Sequence, residues 1–119
     1  MELMGANDEV IANLTSGQKE LVDQVIDYMN PVSLRSAGAA FDNKAAMPNE
    51  RIAAIRAPTL IFHATDDTLQ LYHNAKFAAS TIPNARLVSF NRGGHLLVCV
   101  EQPAIRTVLQ KHILDHISD

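Results

Sequence analysis

Two short apolar runs, "TLIFHA" at residues 59–64 and "RLVSF" at 86–90, constrain the fold of this 119-residue chain more than any other feature. The first follows Pro58 and shows no polar alternation, which is the pattern of a strand buried on both faces. Between the runs lies "YHNAKFAASTI", where Ala75, Ala78, Ala79 and Ile82 suit a helix packed closely on a sheet, and "PNA" ends it. A loop, "NRGGH", follows the second run. It leads into "LLVCV" and a last helix opened by Pro103, with Ile105, Val108, Leu109, Ile113 and Ile117 mostly along one stripe. Strand, helix, strand, helix predicts a right-handed parallel crossover unit with a covering helix, hence an α/β fold. Two strands alone are too few for a stable parallel sheet, whose faces both need cover. The chain is therefore expected to be part of something larger, or to complete its sheet as a homo-oligomer or with a complementing chain.

The region before Pro48 reads as helices without strands. "TSGQKELVDQVIDYMNP" pairs Thr15 with Gln18 in a capping box, places Leu21, Val22, Val25, Ile26 and Met29 at helical spacing, and stops at Asn30-Pro31. Pro31 can open a further helix, "PVSLRSAGAAF", which Gly38 weakens. The expected division is a helical segment at 1–50 with a thin core of its own, followed by the α/β part at 51–119.

Composition narrows the function. A net charge of −3 gives no electrostatic reason to expect nucleic acid or an anionic membrane. No apolar run reaches the ~18–20 residues that span a bilayer. The N-terminus has no basic and apolar leader pattern, so a soluble cytoplasmic protein is the default expectation. The single cysteine, Cys99, excludes an intrachain disulfide and a multi-cysteine zinc site, and reads as a small buried hydrophobe. His112 and His116 stand four apart on the last helix without a third ligand and are expected to face solvent rather than zinc. His63 reads as a core histidine with one hydrogen bond, and His73 as an exposed helix opener.

Chemistry is expected beyond the carboxyl ends of parallel strands. Asp66 and Asp67 follow the first strand there, and His95 follows the second after Gly93 and Gly94. Adjacent strands lie ~4.8 Å apart, so these loops can bring a carboxylate to an imidazole. Such a carboxylate fixes the ring tautomer and leaves the other nitrogen to face a nucleophile. Taken alone, the aspartates read as ordinary turn residues, since Asp caps nearby amides. The Gly-Gly-His on the next strand is what tilts the reading toward a site.

"APTLIFHATDD", followed by "IPNARLVSFNRGGHLL", resembles the C-terminal segment of the α/β-hydrolase family of esterases, lipases and related enzymes. In that family an acid follows a late strand in a pattern like G-x-x-D, and the histidine follows the last strand in a G-H pair. The resemblance covers residues 51–117, and more loosely likens 1–50 to the tail of a helical lid. It implies a partial α/β-hydrolase fold, with Asp67 as the triad acid and His95 as the base, 28 residues apart. It further implies a small ester or acyl substrate, no cofactor and no metal. Ala64 stands where the family often has Gly, and Leu71 where it often has Pro. The G-x-S-x-G turn that carries the serine is absent. Its nearest match, "LRSAG", centres on Ser36 but lacks the first glycine and follows helix-like sequence, so Ser36 is expected to be a lid serine. The resemblance thus implies the acid and base of a serine hydrolase without the nucleophile. The competing expectation is a non-catalytic, self-associating or partner-completing module with vestigial triad residues.

Overall fold

The computed structural model describes residues 5–42, 44 and 49–117. Its elements are α1 (Asp8–Ala12), α2 (Ser16–Met29), α3 (Ser36–Asp42), β1 (Thr59–Ala64), α4 (Tyr72–Thr81), β2 (Ala85–Phe90), α5 (Leu97–Val100) and α6 (Gln102–His116). Single 3-10 segments at Val32–Arg35, Glu50–Ala54 and Gly94–Leu96 join them. Pro48, where the sequence changes character, lies outside the described residues.

Local chemistry accounts for the helix boundaries. Asn7 caps α1 by accepting the Val10 amide at 2.9 Å. At α2, the Thr15 hydroxyl accepts from the Gln18 amide and the Gln18 side chain accepts from the Thr15 amide, the reciprocal arrangement that satisfies two otherwise orphaned donors. The same Gln18 donates through Nε2 to the Val100 carbonyl at 2.8 Å, so one side chain both starts α2 and ties it to α5. The stretch after Pro31 divides into a 3-10 turn and α3, and α3 buries none of its residues.

β1 and β2 pair in parallel with Ile61 beside Leu87 and His63 beside Ser89. The hydrogen bond between the Tyr72 hydroxyl and Ser89, and the contact of the His63 and Tyr72 rings at 5.7 Å, place α4 on that face. On the opposite face, Ala64 packs with Leu97 and Ile105, flanked by Phe62 and Phe90, so α5 and α6 cover it. A second cluster joins Val22 of α2 to Leu96 and Cys99, with Ala6, Leu14, Leu21, Val25, Ile26 and Val100 around it.

Two expectations need correction. Along β1 only Ala64 is buried and the other five positions are half-buried, so the strand is not fully buried although helices pack on both of its faces. The physical reason is that a two-stranded sheet leaves each strand with one unpaired edge. Similarly, of the stripe on α6 only Ile105 is buried, while Leu109, Ile113 and Ile117 are 41%, 46% and 68% exposed. Helical periodicity marks a face that could be buried, not one that something covers. "LLVCV", for which the apolar pattern predicts no particular element, is the short helix α5 and its flanks. No described helix is long and apolar enough to cross a membrane.

Candidate functional site

The carboxyl ends of the two strands are tied together by backbone. The Thr65 amide donates to the Phe90 carbonyl at 2.8 Å, and the Thr65 hydroxyl donates to the Asn91 carbonyl. The next residue of each loop is thereby held close to its counterpart. Asp67 Oδ2 lies 3.0 Å from His95 Nδ1. Asp67 Oδ1 accepts two backbone amides, from Leu69 and Gln70, both at 2.9 Å. These amides fix the carboxylate plane. The carboxyl side chain is 5% exposed and the His95 side chain 41% exposed. A buried acceptor therefore faces a ring whose other edge reaches solvent. Among the described residues, Nε2 of His95 has no hydrogen-bond partner. With Asp67 accepting, Nδ1 carries the proton and Nε2 presents a lone pair.

Asp66 makes a different connection. Its Oδ1 accepts the Gly94 amide at 2.9 Å and its Oδ2 the Gly93 amide at 3.2 Å. Both glycines need their residue type: Gly93 has φ 126° and Gly94 φ 50°, in the left-handed half of conformational space that side chains disfavour. At Gly94 there is also no room, since an added Cβ would lie 2.6 Å from Ala6 Cα. The Gly5 carbonyl accepts both the amide and the hydroxyl of Thr68 at 3.3 Å, so the segment before α1 lies between the two loops.

A cavity of about 380 Å³ opens beside His95 and runs along β1 from Ile61 to Ala64. Asp67, His63, Gln70 and Asn74 supply its polar groups, and Leu97 and Val98 its apolar wall. A larger hollow, about 660 Å³, lies between α2 and the α5–α6 junction, away from both aspartates and His95. Its nucleophile candidate is Cys99, a buried thiol whose pKa burial pushes up, which leaves it in the unreactive protonated form.

The remaining candidates stand apart from the pair. Ser36 is exposed at the start of α3 and donates to the Ser33 carbonyl at 2.9 Å, as a local turn serine does. His73 is exposed in the first turn of α4. His63 is half-buried, not a core residue; it keeps one hydrogen bond, from Nδ1 to the Ala64 carbonyl, and lines the cavity. His116 is exposed, whereas His112 is half-buried against the Pro58 carbonyl. Among the described residues no group of three or more His, Cys, Asp or Glu could hold a metal ion. Sequence reading missed the grip of Asp66 on the glycine amides and the insertion of Gly5. The first was signalled by an aspartate doublet facing a glycine doublet; the second had no sequence signal.

Over 91 residues the chain is 32% identical to a protein of Stutzerimonas stutzeri (strain A1501) that bears the provisional name carbamate hydrolase RutD. The match takes in 76% of this chain and 31% of that protein, so the chain spans about a third of the length of the relative it matches. No family model and no solved structure matches the chain.

Proposed function

We propose that residues 51–117 are the C-terminal part of an α/β-hydrolase domain, and that Asp67 and His95 are the acid and base of a Ser-His-Asp triad acting on small esters or related acyl substrates. Residues 1–50 would form the lid-like segment before it. The observation that carries this reading is the 3.0 Å contact of the buried Asp67 carboxylate with His95 Nδ1, which leaves Nε2 free at a cavity. The likeness to a protein named for carbamate hydrolysis supports an acyl substrate and adds carbamates to the class. In the complete reaction a serine supplied from outside this sequence attacks the carbonyl carbon. His95 takes the serine proton on Nε2 and returns it to the leaving group, while Asp67 holds the ring and stabilises the imidazolium.

Without a serine, the same pair can still activate water against a reactive ester. The purified chain is expected to hydrolyse p-nitrophenyl acetate faster than buffer. His95→Ala should remove that excess by about 10²-fold, the low end of what a positioned base contributes. Equal rates for the wild type and His95→Ala would overturn catalysis by this pair. That result would favour the second reading, a partner-completing or self-associating module. The observations behind the second reading are the unpaired edges of β1 and β2 and the exposed Leu109, Ile113, Leu114 and Ile117 of α6. Unpaired edges and exposed apolar stripes are surfaces that associate.

A further inference from the structure

The structure assigns Asp66 a task of its own: it is a positioning residue that sets the direction of the His95 ring by gripping the two amides before it. This rests on the reading of His95 as the base. Gly93 and Gly94 both have positive φ, and a pair of glycines in such a loop has many alternative conformations of similar energy. Something outside the pair must select one. Asp66 does so with one carboxylate oxygen for each amide, at 2.9 Å to Gly94 and 3.2 Å to Gly93, across 28 and 27 residues of sequence. Hydrogen bonds to a charged acceptor are short and directional, so both peptide planes are fixed relative to the end of β1.

The consequence follows from covalent geometry. The Gly94 N–H belongs to the Gly93–Gly94 peptide, one peptide removed from His95, so turning that plane would carry the Gly94–His95 link with it and swing the His95 Cα–Cβ bond away from Asp67. Asp66 and Asp67 are neighbours on one chain segment; one holds the backbone that carries the ring, the other receives the ring's Nδ1 proton. Acceptor and ring thus share a single frame built by two residues. Both glycines are buried, so water does not readily replace Asp66 there.

The test reads the ring directly by nitrogen-15 chemical shifts of His95, assigned against His95→Ala. It is made near pH 8.5, where an ordinary imidazole is neutral. In the wild type the Nδ1–H tautomer should predominate, because Asp67 accepts from Nδ1. In Asp66→Ala the Nδ1–H share should fall by about half, since the ring loses its fixed approach to the acceptor. Asp66→Asn keeps one acceptor oxygen and should fall between the two. A merely structural Asp66 would alter unfolding temperature without moving the tautomer ratio. Wild-type ratios in a folded Asp66→Ala would overturn the assignment. Should that variant not fold, Asp66→Asn decides: an intermediate ratio supports the role, and a wild-type ratio overturns it. If the wild-type ring itself shows no Nδ1–H preference, the Asp67–His95 pairing fails, and with it any role exerted through that pairing. The two failures are therefore distinguishable.

Discussion

Leu96→Ala is expected to destabilise the chain by about 2–5 kcal/mol, the range for truncating a buried leucine whose cavity cannot fully collapse. Leu96 is 1% exposed and, with Val22, is among the largest fully buried side chains of the described residues. It packs against Val22 and Cys99, joining α2 to the segment that follows His95. Domains of this size are stable by only ~5–15 kcal/mol, so the loss is a large fraction of the total. An apolar position two residues on provides the contrast. Val98 is 60% exposed, and Val98→Ala should change stability by no more than about 0.5 kcal/mol. Urea unfolding followed by circular dichroism reads both variants. A Leu96→Ala midpoint indistinguishable from that of Val98→Ala would mean that the Val22–Leu96–Cys99 cluster does not hold the histidine loop in place.

The second large effect is expected at Gly94. Gly94→Ala puts a Cβ 2.6 Å from Ala6 Cα and 2.8 Å from Ala6 N, with the Gly5 carbonyl also in contact. These are backbone atoms, which cannot swing aside as the end of a long side chain can. The residue also sits at φ 50°, where an L side chain costs about 1–2 kcal/mol. The combined loss should be about 2–4 kcal/mol, within the class of backbone-strain and overpacking substitutions. Relief requires Gly5–Ala6 to leave the loop, which would also remove the Gly5 carbonyl from Thr68. Gly38 lies within α3 with nothing within 4 Å of an added Cβ, so Gly38→Ala should be neutral or stabilising by ~0.5–1 kcal/mol. Equal unfolding midpoints for the two glycine variants would show that the N-terminal segment does not pass over Gly94 as described.

How much of this was legible beforehand depended on the range of the interaction involved. β1 spans Thr59–Ala64, the run that Pro58 introduces, and β2 begins at Ala85, one residue before "RLVSF". The boundaries of α2 were legible because a capping box and an Asn-Pro stop are local chemistry. The meeting of Asp67 and His95 at one rim follows from a rule about strand ends, which needs only parallel pairing. The exposure of the α6 stripe was hidden, because periodicity identifies an apolar face but not whether anything covers it. His63 was misplaced for a related reason: a position inside an apolar run is buried only when the strand has neighbours on both sides. The Asp66–Gly93–Gly94 contacts depend on backbone amides brought in from 27 and 28 residues away, so the aspartate and glycine doublets hint at them without fixing them, and the entry of Gly5 has no residue pattern at all.

The central claim is that two parallel strands deliver Asp67 and His95 into direct contact. A double-mutant cycle measures that contact, using denaturant unfolding of the wild type, Asp67→Ala, His95→Ala and the double variant. The cycle cancels the loss of the Leu69 and Gln70 amide bonds, which Asp67→Ala suffers with or without His95. The account predicts a coupling of about 0.5–3 kcal/mol, as for residues in one hydrogen-bonded network. Additivity to within ~0.3 kcal/mol, the behaviour of independent sites, would contradict it.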